Sequence, residues 1–151
     1  MGKIRTSLLL PVGLACLLQL LPAGGCGSGE GSAADDLERY AGSYQVVETF
    51  DRQEGNGCAP APGNPTENSV TINISGNQFE AVFTDRWGRL VGQVQEEASF
   101  LAVDTGSDVN LSLQFSGRFD SLTAFSGTIK ESRQGCSRWF QLAGSRPGEE
   151  S

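Results

Sequence analysis

Residues 109–116 alternate without a break: Val109, Leu111, Leu113 and Phe115 are apolar, while Asn110, Ser112, Gln114 and Ser116 are polar. Successive side chains of a β-strand point to opposite faces, so this stretch has one face for a core and one for water. The same period runs through most of the chain beyond residue 42, in short segments set apart by turn residues. We read eight strands, at 43–51, 69–75, 78–84, 89–96, 99–104, 109–116, 122–131 and 136–143. Tyr44, Val46 and Phe50 share one face of the first; Val70, Ile72 and Ile74 share one face of the second. Phe79, Ala81 and Phe83 do so in the third, and Arg138, Phe140 and Leu142 in the eighth. Turns fall at Ser75-Gly76-Asn77, Asp85-Arg86-Trp87-Gly88 and Thr105-Gly106-Ser107-Asp108. Only residues 35–40 read as a helical turn. Short, evenly spaced, alternating strands with tight turns predict an all-β sandwich or an up-and-down barrel.

Cysteine placement separates the two. Cys58 lies in the one long connection, 52–68, whose Pro60, Pro62 and Pro65 keep it out of a ladder. Cys136 opens the eighth strand. A disulfide needs Cα atoms within about 7 Å. In a closed meander the first and last strands are neighbours, and both cysteines fall at the same end. The barrel therefore supplies that nearness directly, with the bond stapling its seam, whereas a sandwich needs a more particular topology. We expect an eight-stranded antiparallel up-and-down barrel over 37–145, with a disordered tail at 146–151.

The N-terminus carries a different signal. Lys3 and Arg5 precede a mostly apolar run over 8–21, followed by Ala23, Gly24, Gly25 and Cys26. The run is short for a membrane span and is interrupted by Pro11, Gly13 and Gln19. It resembles a bacterial lipoprotein signal peptide over 1–25, with Cys26 as the lipidated new N-terminus. Cleavage after Gly25 without lipidation and an uncleaved anchor are the alternatives, and Cys16 is a rival acceptor. The Gly- and Ser-rich segment that follows reads as a flexible tether over 26–36. The resemblance implies attachment to a bacterial cell envelope through acyl chains such as palmitate. Gly27, in place of Asp, favours the outer membrane under enteric-type sorting. In that oxidising setting the default for Cys58 and Cys136 is a disulfide.

Composition narrows the function. The chain has 11 basic and 18 acidic residues, a net charge of −7. Loss of Lys3 and Arg5 with the leader leaves nine basic residues and a net charge of −9. That balance argues against nucleic acid, whose phosphates need a basic patch. No histidine occurs among the 151 residues, which removes the commonest general base and the imidazole metal ligand. Carboxylate pairs such as Glu96-Glu97 read as solvated turn charges. We expect no catalytic residues, no metal and no cofactor.

The barrel region also resembles the lipocalins, within the calycin group. Leu37 to Tyr44, with Gly42-Ser43-Tyr44 at its end, is similar to the turn and Gly-x-Trp opening of that family, with Tyr44 in the place of Trp. The longest loop follows the first strand, where lipocalins carry a lid, and Arg138 lies in the last strand, where calycins place a basic residue. The resemblance implies that Arg138 closes the barrel against Tyr44, with Arg146 as the rival for that role. It further implies a ligand at the mouth.

By strand parity, the turns at Trp87, Gly106 and Gly135 share an end with the long loop. Trp87 in a turn is either a binding anchor or a ring folded over the rim to cover core. Phe79, Phe83 and Phe115 either line a ligand cavity or fill the barrel. Asp85, Asp104 and Asp108 read as turn aspartates rather than cation ligands, and the acceptor-like Asn73-Ile74-Ser75 and Asn110-Leu111-Ser112 as chance matches within strands. The expected function is a membrane-anchored binding module for a small amphipathic or lipid-like molecule. The alternative is a protein-interaction or inhibitor module, of lysozyme- or protease-inhibitor type, that uses its rim loops on an envelope partner.

Overall fold

In a computed structural model, residues 36–148 are described, apart from 64, 105, 107 and 109. The leader, Cys26 and nearly all of the tether lie outside the described residues. A 3₁₀ turn at Glu38–Tyr40 leads into eight strands. These are β1 (Gly42–Glu54), β2 (Thr66–Ser75), β3 (Gln78–Phe83), β4 (Arg89–Val94), β5 (Ser99–Asp104), β6 (Leu111–Ser121), β7 (Ala124–Arg133) and β8 (Cys136–Ser145). Each pairs antiparallel with the next, and β1 pairs with β8, giving a closed eight-stranded barrel. Among the described residues no helix is long and apolar enough to cross a membrane.

Turn chemistry fixes the register. At the β7–β8 hairpin, Gln134 and Gly135 take φ of 41° and 81°. Two successive positive φ values match the twist of the flanking strands. The seam runs from Gln45 opposite Ser145 to Glu54 opposite Ser137, with a bulge between Phe50 and Arg52. Because Arg52, Gln53 and Glu54 pair with β8, β1 is longer than its alternation suggests. β2 likewise begins early, at Thr66, so the expected 52–68 loop shrinks to 55–65.

Two further boundaries differ from the sequence reading. β6 does not stop at Ser116 but runs through Gly117 to Ser121, which brings Phe119 into the core. Leu122 and Thr123 therefore form the turn, and β7 starts at Ala124. Gly117 lies within the strand. It stands opposite Phe100, and a Cβ there would come within 2.7 Å of Phe100 Cζ. The same arrangement recurs around the barrel. Phe79 stands opposite Gly92, and Phe125 opposite Gly144. Gly117 and Gly144 leave room for a ring on the neighbouring strand, whereas a Cβ on Gly92 would meet the backbone of Leu101 and Ala102 on β5, so that glycine permits the close approach of two strands.

The core is a stack of such rings. Phe79 and Phe100 lie parallel at 4.6 Å, and Phe100 meets Phe115 at 4.7 Å and Phe119 at 5.2 Å. Phe79, Phe100, Phe115, Phe125 and Phe140 are all essentially buried. Each such ring contributes roughly 1.5–3 kcal/mol relative to exposure. Phe79 and Phe115, two of the candidate ligand-lining residues, pack ring to ring within this stack at 6.2 Å.

The closed end is sealed by the 3₁₀ turn. Tyr40 stacks on Phe119 at 4.5 Å, and the Tyr44 hydroxyl donates to Tyr40 O at 2.7 Å. The guanidinium over Tyr44 belongs to Arg146, at 5.2 Å from the ring centroid. Arg146 also donates through Nη2 to Arg39 O at 2.9 Å and Ala41 O at 2.6 Å. It thus forms part of the barrel's base rather than of a disordered tail. Arg138, the residue assigned to this role by the lipocalin resemblance, sits at the other end. It lies opposite Gln53 and Glu131 and donates to Ala59 O at 2.7 Å. The reason is strand direction: β8 runs from the mouth to the base, so only a residue at its end reaches Tyr44. Gly42 also gains a reason, since a Cβ at that position would lie 3.2 Å from the Arg146 guanidinium.

Candidate functional site at the barrel mouth

The end opposite Tyr44 gathers the 55–65 loop and the β3–β4, β5–β6 and β7–β8 connections. The loop is fixed to the seam by the Cys58–Cys136 disulfide, with Cα atoms 5.0 Å apart. Asp104 and Asp108 serve the β5–β6 connection locally. Asp104 Oδ1 accepts from the Gly106 N–H and Asp108 Oδ1 from the Asn110 N–H, both at 2.9 Å. Asn73, on β2, donates to Glu80 Oε2 at 2.9 Å.

The β3–β4 turn folds inward over the mouth. Trp87 adopts φ 67°, a left-handed conformation uncommon for a bulky side chain. Its ring packs on Phe83 at 5.3 Å and Phe140 at 5.5 Å. Its indole Nε1 is buried without a hydrogen-bond partner among the described residues. Trp87 therefore covers the core at the rim, and Phe83 forms the layer beneath it. Beside it lies a shallow groove of about 570 Å³, with Trp87, Leu111 and Leu113 as apolar lining and Arg89 and Asp104 as polar lining. A second depression, of about 330 Å³, lies against the disulfide and is lined by Gly57, Glu131, Arg133, Cys136 and Arg138 among others.

Arg86 enters the same mouth. Its Nη1 donates to Glu48 Oε1 at 2.6 Å and its Nη2 to Glu131 Oε2 at 3.0 Å. Its Cζ lies 4.4 Å from the Phe140 ring centroid and 4.8 Å from that of Trp87. Glu48 is 4% exposed on the inward face of β1, in line with Tyr44 and Val46. Burial pushes its carboxyl above the usual carboxylate range; Arg86 opposes that shift and Glu131 adds to it. One guanidinium thus holds two carboxylates against two aromatic faces.

Sequence reasoning missed this cluster, although half of its signal was present. Glu48 falls on the apolar face of the first strand, where an acidic residue requires a partner. That the partner is Arg86 follows only from the closed barrel, which carries the β3–β4 turn across to β1 and β7. Trp139 was also missed. It faces outward on β8, with the Arg52 guanidinium 4.4 Å and the Lys130 ammonium 5.2 Å from its ring, one from each neighbouring strand.

No protein-family model matches the sequence, and no curated protein does. Solved structures match the fold. The monomer form of the M. tuberculosis PknI sensor domain aligns over 72% of this chain and 88% of its own, with 13% identity and a TM-score of 0.50. A redesigned β-barrel aligns over 78% and 100%, with 17% identity and a TM-score of 0.50. The S-type phycobiliprotein lyase CPES from Guillardia theta aligns over 81% and 96%, with 9% identity and a TM-score of 0.47. At these identities the likeness is one of architecture alone, that of the closed antiparallel barrel.

Proposed function

We propose that this chain is a non-enzymatic binding module that holds a small amphipathic molecule at the barrel mouth, carried on a lipid anchor at Cys26 in a bacterial cell envelope. One observation carries the binding reading. A tryptophan stands at the rim in a left-handed turn, beside a groove with apolar lining from Leu111 and Leu113 and polar lining from Arg89 and Asp104. Binding sites for small molecules combine apolar walls with a few placed polar groups in this way. The ring-to-ring packing of Phe79, Phe100 and Phe115 supports a ligand at the mouth rather than in the depth of the barrel.

The test is native mass spectrometry of protein purified from envelopes, paired with the emission of Trp87 in a Trp139→Phe background. A co-purifying small molecule, lost in Trp87→Ala, supports the reading. Its absence, with Trp87 emission indifferent to a panel of amphiphiles, overturns it. The anchor is tested separately: Cys26→Ser should move the protein from the membrane to the soluble envelope fraction. An unacylated, already soluble wild type refutes the anchor.

A second reading has its own support. A packed core combined with the 55–65 loop fastened to β8 by a disulfide suits rim contacts with an envelope protein. The acidic charge would steer a basic partner. A co-purifying protein in the same experiment favours this reading.

A further inference from the structure

We propose that the mouth takes a cationic head group, an alkylammonium or alkylguanidinium, in the cage that Arg86 occupies with Glu48, Glu131, Phe140 and Trp87. This rests on the binding-module reading above and names the chemistry of its ligand. Three walls of the cage are built on strands, while Trp87, like the occupant, comes from the β3–β4 turn. Glu48 is on β1, Glu131 on β7 and Phe140 on β8. The side chains opposite Glu48 in the ladders are those of Thr66 and Leu142, so neither neighbouring strand supplies a charge there.

The resident cation shows what the cage accepts. The Arg86 guanidinium lies within 4.8 Å of both aromatic centroids while donating to both carboxylates. Aromatic faces beside anionic oxygens are the recognised surroundings of a desolvated cation. Within the cage one guanidinium faces two carboxylates, while Arg138, across the ladder from Glu131, is turned to Ala59 O, so the two inward carboxylates favour a cation over a carboxylate or phosphate ligand. Arg86 itself reaches the cage from a turn rather than from a strand. Its side chain is 35% exposed, and the residue beside it holds a left-handed backbone. Such backbone persists only where its surroundings enforce it. An incoming cation with an apolar tail satisfies Glu48 and Glu131 in place of Arg86, and its tail lies along Trp87, Leu111 and Leu113.

The experiment compares dodecylammonium, dodecanoate and dodecanol below their aggregation thresholds, read by Trp87 emission in the Trp139→Phe protein. Dodecylammonium should bind at least about tenfold more tightly than dodecanoate. Glu48→Gln, which removes the buried charge and keeps the shape, should erase that preference. Arg86→Ala, which removes the internal competitor, should tighten dodecylammonium by about tenfold. If Arg86→Ala does not fold, the Glu48→Gln comparison decides alone. Equal binding of the amine and the acid, unchanged by Glu48→Gln, overturns the cation assignment and leaves mouth binding standing. Failure of all three to bind removes the binding reading itself.

Discussion

Phe125 stands directly across the β7–β8 ladder from Gly144, and its ring fills the space where a side chain at 144 would begin. A Cβ on Gly144 would meet Cε1, Cζ and Cδ1 of that ring, all within 2.6 Å. No backbone atom is among those nearest neighbours, so the two residues form a coupled pair. Gly144→Ala should cost about 1–3 kcal/mol through overpacking. Phe125→Leu alone should cost about 1–2 kcal/mol. In denaturant titrations the double variant should lose less than the sum of the two, by at least about 0.5 kcal/mol. Simple additivity would mean that the ring does not depend on the glycine.

At the base, Arg146→Ala removes a cation–π contact and two hydrogen bonds to carbonyls. It should destabilise the barrel by about 1–3 kcal/mol. Burial raises the Tyr44 phenol above the ordinary tyrosine range, and Arg146 opposes that shift. Arg146→Ala should therefore move Tyr44 ionisation still higher in an ultraviolet pH titration. Arg138→Ala, at the far end of β8, should leave the Tyr44 titration where it is.

The Glu48 carboxyl titrates above the usual range because it is buried. Its folded state therefore binds a proton more readily than the unfolded chain does. Stability should rise as pH falls from above the folded value toward the ordinary carboxylate value, and this gain should vanish in Glu48→Gln. Glu80 works in the opposite sense. Hydrogen bonds from Arg89 and Asn73 lower its pKa, so its contribution is present above the ordinary value and is lost as pH falls through the lowered one. Unfolding of wild type and Glu48→Gln, measured across mildly acidic pH, isolates Glu48 as the difference between the two proteins. Parallel curves would show that Glu48 is not perturbed.

The Cys58–Cys136 bond spans 78 residues. Closing a loop of that length restricts the unfolded chain by about 4 kcal/mol in the chain-entropy treatment. Reduction should lower the melting temperature while the far-ultraviolet spectrum keeps its sheet character. A collapse of that spectrum on reduction at room temperature would show that the seam depends on the bond.

The strand count, the alternation in β2, β3 and β8 and the pairing of the two cysteines were legible because each rests on local period or on the parity of a meander. Other features depend on partners far away in the chain. The clean alternation ends at Ser116, and only the fit of Phe100 against Gly117 shows that β6 extends to Ser121. Glu48 is legible as a charge on an apolar face, but its cation arrives from a turn 38 residues on. Arg138 was placed by analogy, whereas the direction of β8 selects Arg146. Trp139 alternates to the outer face, and only the registers of β1 and β7 show that Arg52 and Lys130 flank it.

The pairing of Gln45 with Ser145, and the grip of Arg146 on the backbone of Arg39 and Ala41, bring the two ends of the barrel's chain together at its base. The polypeptide thus enters and leaves at one pole, and the 55–65 loop and the other mouth connections crown the other. A tether drawn from either terminus holds the molecule by its foot and turns the crown toward the medium. A tag, a dye or a surface linkage at either end leaves the crown unobstructed. The orientation of the molecule on any support is therefore decided by its topology, before any contact with that support is made.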